Sequence, residues 1–246
     1  MMLAVNGIPV VAIELKNQLT GQSIDNAKRQ WMFDRDPKEP AFRLNYRILV
    51  FFAVDLYEAV MTTKLNGAKT FFFPFNQGSN GPGNDGGAGN PETKDGDYVT
   101  SYLWKDVLQK DSLLDILQKF VNFEVKKEKT VLEDGTYKEV TKKSLIFPRY
   151  HQMDAVRKLV KDVREHGPGK NYLIQHSAGS GKSNSIAWTA YRLASLHNDK
   201  NEPVFTSVVI VTDRTVLDQQ LQDTISGFDH TLGSVVTIDE KKNSKD

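Results

Sequence analysis

The pattern of apolar and polar positions predicts that the chain opens with a β-hairpin. Two β-prone runs in residues 1–16 flank Asn6-Gly7, and this dipeptide is the strongest short turn signal between strands. The second run is apolar on both faces, which is typical of a strand inside a sheet.

A helix and three further strand-like runs are predicted before residue 76. Ser23 suits the N-cap of the helix, whose spacing puts Ile24, Ala27 and Trp31 on one face. The strand-like runs are "RILVFFAVD", "AVMTTKL" and "AKTFFFPF", the last two joined by Asn66-Gly67. The pattern therefore predicts a mostly antiparallel sheet with at least one helix.

The middle of the chain contains a glycine-rich loop and a charged segment. Residues 76–97 hold seven of the 17 glycines, which predicts a mobile loop that cannot form a packed core. Residues 101–121 have helical spacing. Residues 124–143 are charge-rich, with a turn at Asp134-Gly135, which indicates an exposed hairpin or a linker at a domain boundary.

After residue 148 the pattern changes to alternating helices and strands. It predicts helices at 150–165, 184–197 and 214–226, and strands at 171–176, 207–212 and 234–238. Such alternation is typical of a parallel sheet covered by helices.

Composition excludes several classes of function. The net charge of +1 gives no overall basic footprint for nucleic acid, so any DNA role depends on particular sites. The chain has no cysteine, and its five histidines show no ligand spacing, so a structural zinc site is not expected. The longest apolar run, 48–54, is too short to cross a membrane, and the first residues do not form a signal peptide. The cytoplasm is the expected compartment.

The stretch "QHSAGSGKSNSIAW" predicts a phosphate-binding loop. It lies between a predicted strand and a predicted helix, where glycines let backbone N–H groups converge on a phosphate. Lys182 would meet the β- and γ-phosphates of a nucleotide, and the Ser183 hydroxyl would hold Mg²⁺. The first position of the full motif is His176 instead of glycine. The residues expected to bind ATP in this loop are Ala178, Gly179, Ser180, Gly181, Lys182 and Ser183.

A second element of nucleotide recognition is predicted at "FPRYHQMDAVRKLV". Arg149 could stack on a purine, and Gln152 could hydrogen-bond the edge of adenine. The alternative is that both are merely solvated at the start of a helix.

Glu14 and Lys16 are candidates for phosphodiester hydrolysis. They are two apart on a predicted strand, so their side chains share a face. Glu14 would hold Mg²⁺, while Lys16 would position water and stabilise the charge that develops on the phosphate. The alternative is a structural ion pair, because a buried charge needs a partner. E-x-K occurs four times, and only the one at Glu14 is expected on a strand; the others begin at Glu92, Glu124 and Glu240.

Several stretches, in order along residues 1–228, closely resemble the restriction (R) subunit of type I restriction-modification enzymes. They include "NGIPVVAIELKNQ", "AKRQWMFDRD", "MTTKLNGAKTFFFPFNQG", "IFPRYHQMDAVRKL", "YLIQHSAGSGKSNSIAW" and "VVIVTDRTVLDQQL". That family joins a PD-(D/E)xK-like nuclease to a superfamily 2 helicase-like motor. The motor moves double-stranded DNA while bound to modification (methyltransferase) and specificity subunits, and unmodified sites trigger cleavage.

The resemblance implies roles for particular residues. Glu14 and Lys16 match the E-x-K of the nuclease, and Gln30 matches a glutamine of its Q-x-x-x-Y pattern, although Asp34 stands at the tyrosine position. Arg149 and Gln152 match the adenine-reading motif. Thr212 and Arg214 match a motif that contacts the DNA backbone.

The resemblance also implies a domain plan. We expect an endonuclease-like domain at 1–123, a charged hairpin or linker at 124–147, and the first part of a RecA-like P-loop lobe at 148–246. The nuclease aspartate is expected upstream of Met1, where the hairpin register places the residue opposite Glu14. The Asp-Glu motif for ATP hydrolysis is expected downstream of residue 246. We therefore expect this fragment alone neither to cut DNA nor to turn over ATP efficiently.

Two alternatives stay open at the level of sequence. The chain could be a P-loop scaffold whose Glu14–Lys16 pair is structural, or it could belong to a different helicase–nuclease such as a repair enzyme. Replacing Lys16 by alanine separates a structural pair, which would lose stability, from a catalytic lysine, which would lose cleavage.

Overall fold

The computed structural model describes residues 1–93, 96–131, 136–212, 221 and 224–225, and the chain divides into two compact units, 1–154 and 155–246. The first unit is built on a five-stranded mixed sheet in the order β1-β2-β3-β4-β5. These strands are Met2–Val5, Ile8–Leu15, Val50–Val54, Ala59–Thr62 and Phe73–Pro74. Only β2 and β3 pair in parallel, so the sheet is mostly antiparallel, as predicted.

The predicted first hairpin is confirmed. Val5 pairs with Ile8 across Asn6-Gly7, and both turn residues have positive φ, as the tight turn requires. A β-bulge between Leu3 and Ala4 shifts the register by one residue. β2 lies between β1 and β3, in agreement with its apolar character on both faces.

Helix α1, Ile24–Phe33, covers one face of this sheet. Ser23 is its N-cap, in a capping box with Asn26, and the buried residues are Ile24, Ala27 and Trp31, as predicted. The Trp31 indole N–H donates to the Phe52 carbonyl at 2.9 Å. Trp31 also packs edge-on against Phe42 and Phe51, which ties the helix to β3.

The turn predicted between the last two strands of the sheet is longer than a two-residue hairpin loop. β4 ends at Thr62 and β5 begins at Phe73, with Asn66-Gly67 inside the connection. Thr70 fixes this connection by donating to the Gly67 carbonyl and accepting from the Asn66 N–H.

The glycine-rich segment forms neither helix nor strand in its described residues, but it is hydrogen-bonded to itself. Gly78 and Ser79 donate to the carbonyls of Gly89 and Gly87. The Asn90 side chain accepts from the Gln77 N–H and donates to the Tyr57 carbonyl, so the base of the loop is attached to the sheet.

The helical spacing after this loop gives two short helices instead of one. A π-helical turn covers Leu103–Val107, and α2 covers Lys110–Lys119. Gln109 interrupts them because its backbone is extended.

The charged segment forms the predicted hairpin, with β6 at Asn122–Val131 paired to β7 at Tyr137–Ile146. The predicted turn at Asp134-Gly135 lies outside the described residues.

Helix α3, Tyr150–His166, follows β7, and helix α4, Lys182–Ala194, lies in the second unit. The predicted strands at 171–176 and 207–212 are wrong for the described structure, because neither segment forms a ladder of backbone hydrogen bonds there. Leu173, Val209 and Val211 are correspondingly exposed. The predicted strand at 234–238 and most of the predicted helix at 214–226 lie outside the described residues.

Candidate functional site

Glu14 and Lys16 form an ion pair at the end of β2, on the face covered by α1. Alternation along the strand puts both on the same side as Ala12, which packs in the core beneath α1. Lys16 Nζ lies 3.1 Å from Glu14 Oε1, and the two side chains are only 12% and 17% exposed. The pair is therefore largely shielded from water, which strengthens its electrostatic interaction.

Gln30, on α1, and Arg35, in the segment after α1, complete this cluster. Lys16 Nζ donates to Gln30 Oε1 at 2.7 Å, so one ammonium group joins the strand to the helix. Arg35 lies 4.0 Å from Glu14 Oε2 and 6.0 Å from the centre of the Trp31 ring. The structure thus brings together the three predicted residues, and it adds Arg35, which sequence reasoning missed because its approach to Glu14 depends on the path of the chain after α1.

A second E-x-K pair shows that spacing alone does not define this cluster. Glu124 and Lys126 lie on β6 and form an ion pair at 3.0 Å, so the expectation that only Glu14 begins an E-x-K on a strand is wrong. Lys126 is 47% exposed, whereas Lys16 is 12% exposed and also donates to Gln30. The distinguishing feature of Glu14–Lys16 is the convergence of groups from separate elements.

Asp55, at the end of β3, is a buried carboxylate with a structural function. Its Oδ2 accepts the first N–H of α1, from Ile24, at 2.9 Å. Its Oδ1 accepts the N–H groups of Tyr57 and Glu58, both at 2.9 Å. Since both oxygens are engaged by backbone donors, Asp55 anchors the start of α1 and the turn between β3 and β4.

The groups around Glu14 are compatible with a magnesium site in which the protein supplies only one or two of the ligands. Among the residues that the structure describes, no group of three or more His, Asp or Glu side chains could hold a metal ion. Mg²⁺ commonly uses one or two carboxylates, with waters and substrate phosphates completing the shell. Glu14 Oε2 fits such a ligand, because Lys16 occupies mainly Oε1.

The predicted phosphate loop precedes α4 in the second unit. Gly179 and Gly181 have positive φ, and a side chain at either position would be strained. Gly181 is the N-cap of α4, which begins at Lys182. The loop therefore leads directly into a helix N-terminus, where backbone N–H groups and the helix dipole favour a phosphate.

The Lys182 side chain folds back across this loop. Its Nζ donates to the carbonyls of His176 and Ser177 at 3.1 and 2.9 Å. Ser180 is buried, while Lys182 is exposed. The ammonium group is thus held at the mouth of the loop, and Ala178 and Ser183 lie on either side of its glycines.

Arg149 and Gln152 belong to the first unit. The Gln152 side-chain oxygen accepts the Arg149 N–H at 2.9 Å and so caps the start of α3. The Arg149 guanidinium lies 5.7 Å from the centre of the Phe73 ring, and burial lowers its pKa from the ordinary value. The structure gives both residues a local structural role at this helix start.

The predicted DNA-contacting pair is only partly described. Thr212 is half-buried in an irregular segment, and Arg214 lies outside the described residues.

Comparison with known proteins identifies two families in the same order as the two candidate sites. Residues 1–70 match the family described as type I restriction enzyme R protein N terminus, and residues 151–245 match the SWI2/SNF2 ATPase family. The first match includes Glu14, Lys16 and Gln30, and the second includes the phosphate loop.

Two curated proteins match over longer stretches. A protein named for the endonuclease subunit of the type I restriction enzyme MjaVIIIP, from Methanocaldococcus jannaschii, is 25% identical over 98% of this chain and 21% of its own length. The type I restriction enzyme HindI endonuclease subunit of Haemophilus influenzae is 32% identical over 50% of this chain and 11% of its own length. The resemblance to the R subunit of type I restriction enzymes is thereby confirmed.

The chain spans about a fifth and a tenth of the lengths of these two relatives. No solved structure matches the chain. Within the described residues, no helix is both long enough and apolar enough to cross a membrane.

Proposed function

We propose that this chain contributes a magnesium-dependent nuclease site and an ATP-binding site to a type I restriction enzyme in the cytoplasm. The observation that carries the nuclease assignment is the convergence of Lys16 on both Glu14 and Gln30, within a sequence that matches the R-protein N terminus. Its substrate would be unmodified double-stranded DNA, and its partners would be the modification and specificity subunits.

The arrangement of strands supports a PD-(D/E)xK-like fold for the first unit. The candidate residues lie on the second strand of a hairpin, and that strand pairs in parallel with β3 after the α1 crossover. A mixed sheet flanked by a helix gives one rigid face from which Glu14 and Lys16 can act together.

In the nuclease site, the residues of this chain would hold and orient the reacting groups. Mg²⁺, when bound, would polarise the scissile phosphate and lower the pKa of a water molecule. Glu14 would be its carboxylate ligand. Lys16 would position the attacking water and stabilise the added negative charge on the phosphate, and Gln30 would hold the Lys16 ammonium in place.

In the second unit, residues 178–183 would hold the phosphates of ATP. The backbone of Gly179–Gly181 would surround the β-phosphate, Lys182 would turn from the loop carbonyls to the β- and γ-phosphates, and the Ser183 hydroxyl would bind Mg²⁺. Arg149 and Gln152, in the first unit, resemble an adenine-reading motif, and Thr212 and Arg214 would contact the DNA backbone. The energy of ATP would drive DNA translocation by a RecA-like motor.

The nuclease assignment is tested by cleavage of unmodified duplex DNA with Mg²⁺ and ATP, using the intact subunit that contains this chain, assembled with the modification and specificity subunits. We expect Lys16→Ala and Glu14→Gln to abolish cleavage while ATP hydrolysis continues. Lys126→Ala, which breaks the E-x-K pair on β6, is the matched control and should leave cleavage intact. Cleavage by Lys16→Ala at the wild-type rate would contradict the assignment.

The ATP assignment is tested by titrating the chain with a fluorescent ATP analogue in the presence of Mg²⁺. Lys182→Ala should weaken binding by about tenfold or more, because a charge-assisted contact to phosphate is lost. Lys200→Ala, at an exposed position away from the loop, should bind as the wild type does. Equal binding by all three proteins would refute the assignment.

The second candidate function is a P-loop, DNA-translocating scaffold whose Glu14–Lys16 pair is structural. The ion pair of the same spacing at Glu124–Lys126 favours it, because this pair lies in a charged hairpin with no other sign of a site. In that case Lys16→Ala and Lys126→Ala would have the same effect on cleavage.

A further inference from the structure

We propose that Lys16, Arg29, Phe33 and Arg35 form a strip beside Glu14 that binds the backbone of double-stranded DNA. We call these four residues the α1 strip. The inference deepens the proposed nuclease function and rests on it for the choice of DNA as partner.

Contacts connect the members of the strip to the Glu14 centre. Lys16 reaches Gln30 on α1, and Phe33 lies three residues further along the same helix, so it neighbours Gln30 on the helix surface. The Arg29 guanidinium lies 5.5 Å from the centre of the Phe33 ring. Arg35 lies 4.0 Å from Glu14 Oε2, the carboxylate oxygen that Lys16 does not contact most closely.

The local charge favours a polyanion. The strip carries three positive charges, on Lys16, Arg29 and Arg35, beside the negative charge of Glu14. In the described part of the chain, no carboxylate lies within 4.0 Å of Arg29, so its charge is not neutralised locally. Lys28, its neighbour, is paired with Asp25 at 3.1 Å.

The Arg29 guanidinium carbon lies over the Phe33 ring, 5.5 Å from its centre, a cation–π contact that leaves the guanidinium N–H donors available to phosphate. A guanidinium held over an aromatic face keeps its N–H donors at the ring edge, where they can make two parallel bonds to phosphate oxygens. Phe33 is 59% exposed, so its ring is accessible to solvent beside Arg29. DNA held by Arg29 and Arg35 would pass over Glu14 and Lys16.

A matched control exists in the same unit. Arg43 lies 5.7 Å from the centre of the Tyr46 ring, which Arg47 also approaches at 5.9 Å, and Tyr46 is 56% exposed, so an exposed arginine–aromatic contact like that of Arg29 and Phe33 occurs here too. The contacts that link the strip to Glu14 do not include Arg43. It therefore separates a specific strip from a general effect of removing an exposed arginine.

The experiment measures binding of a fluorescent 20-base-pair duplex to the 246-residue chain by anisotropy, in EDTA and at increasing NaCl. We expect Arg29→Ala to weaken binding about fivefold at low salt and to reduce the slope of log Kd against log salt by about 0.9, the loss of one phosphate contact. Arg35→Ala should behave in the same way, with Arg35→Lys retaining most of the binding. Phe33→Ala should have a smaller effect, and Arg43→Ala none. Thermal unfolding checks that every variant is folded.

Three results would overturn the inference: no binding by the wild-type chain, equal losses in Arg29→Ala and Arg43→Ala, or equal Arg29-dependent binding of an RNA duplex. Because EDTA removes Mg²⁺, this assay does not depend on nuclease chemistry. Loss of binding in Arg29→Ala together with a wild-type assembly that never cuts DNA would keep the strip and refute the nuclease.

Discussion

Single residues at the Glu14 centre combine charge pairing with support from a second element. Lys16 is shared between a carboxylate and an amide oxygen, and both partners lose their donor if the lysine is removed. A shielded carboxylate without its cation is costly, because water compensates it only in part. Removal of Lys16 should therefore destabilise the fold, and this loss of stability can be measured separately from any loss of catalysis.

We predict that Lys16→Ala lowers the free energy of unfolding by about 1–2 kcal/mol, less than for a fully buried pair because some solvent reaches both side chains. Urea unfolding followed by circular dichroism measures the change. The double variant Glu14→Gln/Lys16→Met, which removes both charges, should recover most of the loss. Lys28→Ala should cost under about 0.5 kcal/mol, since its partner Asp25 is 83% exposed. A cost for Lys28→Ala equal to that for Lys16→Ala would contradict this account.

The sequence predicts those parts of the site that depend on residues close together along the chain. Glu14 and Lys16 share a face because strand residues alternate, and Ser23 was identified as the helix N-cap from its position before an apolar stripe. The roles of Asp55 and Arg35 could not be predicted in this way. Asp55 is 31 residues from the N–H group that it accepts at Ile24, and Arg35 meets Glu14 only because α1 returns along the sheet.

Among the secondary-structure elements, the start of α1 depends on Asp55. One carboxylate accepts the first N–H of the helix and two N–H groups of the turn after β3. Asp55→Ala would leave these donors in a buried position, and charge-assisted hydrogen bonds are stronger than neutral ones. We predict a loss of about 2–4 kcal/mol in the free energy of unfolding, measured by urea denaturation.

Asp55→Asn keeps one acceptor oxygen and should lose about half as much stability as Asp55→Ala. Asp25→Ala, at an exposed carboxylate in the first turn of α1, is the control and should change stability by less than about 0.5 kcal/mol. If the Asp55→Ala protein is as stable as the wild type, the N–H groups of Ile24, Tyr57 and Glu58 have found other acceptors.

The segment after α3 is tied to that helix by a hydrogen-bonded carboxylate. Tyr172 Oη donates to Asp162 Oδ2 at 2.6 Å, and Lys170 Nζ lies 2.9 Å from Oδ1. The hydrogen bond from Tyr172 is the largest cause that lowers the pKa of Asp162 below its ordinary value of 3.8, and the hydrogen bond from Lys170 is the next. The bond between Tyr172 and Asp162 raises the pKa of Tyr172.

The stabilisation from Asp162 is therefore present above about pH 4 and is lost as the pH falls through its lowered pKa. Tyr172→Phe removes the largest cause, so the pKa of Asp162 should rise toward 3.8. Carboxyl NMR titration measures it, with Tyr137→Phe as the control because Tyr137 is an exposed residue of β7. An unchanged Asp162 titration in Tyr172→Phe would show that Lys170 and His166 set the pKa without Tyr172.

Elements were predicted best where their signals are local, and least well where a strand needs a distant partner. The hairpin at Asn6-Gly7, α1 and the hairpin at 124–143 follow from turn residues and periodicity, and all three are confirmed. The segments 171–176 and 207–212 have apolar residues suited to strands. A strand also requires a neighbour with which to share hydrogen bonds, and a run of residues does not specify that neighbour.

In the molecule as a whole, the first unit includes residues well beyond the predicted domain end at 123. Thr63 donates to the Leu145 carbonyl at 2.8 Å, and Phe147 packs edge-on against Phe52. Tyr150 packs against Phe75 and Tyr102 and accepts from the Gln77 amide at 2.8 Å. Burial raises the pKa of Tyr102 far above its ordinary value, so its hydroxyl stays a neutral donor to the Phe75 carbonyl.

These contacts predict that a polypeptide ending at residue 123 folds poorly, because Phe52, Phe75 and Tyr102 would lose the side chains that cover them. A polypeptide of residues 1–154 should unfold cooperatively in urea, whereas 1–123 should bind a dye for exposed apolar surface and unfold without a sharp transition. Within the 246-residue chain, Phe147→Ala should cost about 3–4 kcal/mol, and Phe71→Ala, at a residue 66% exposed, under about 1 kcal/mol. Equal cooperativity of the two polypeptides would place the end of the folded domain at 123 and make the packing of residues 145–150 dispensable.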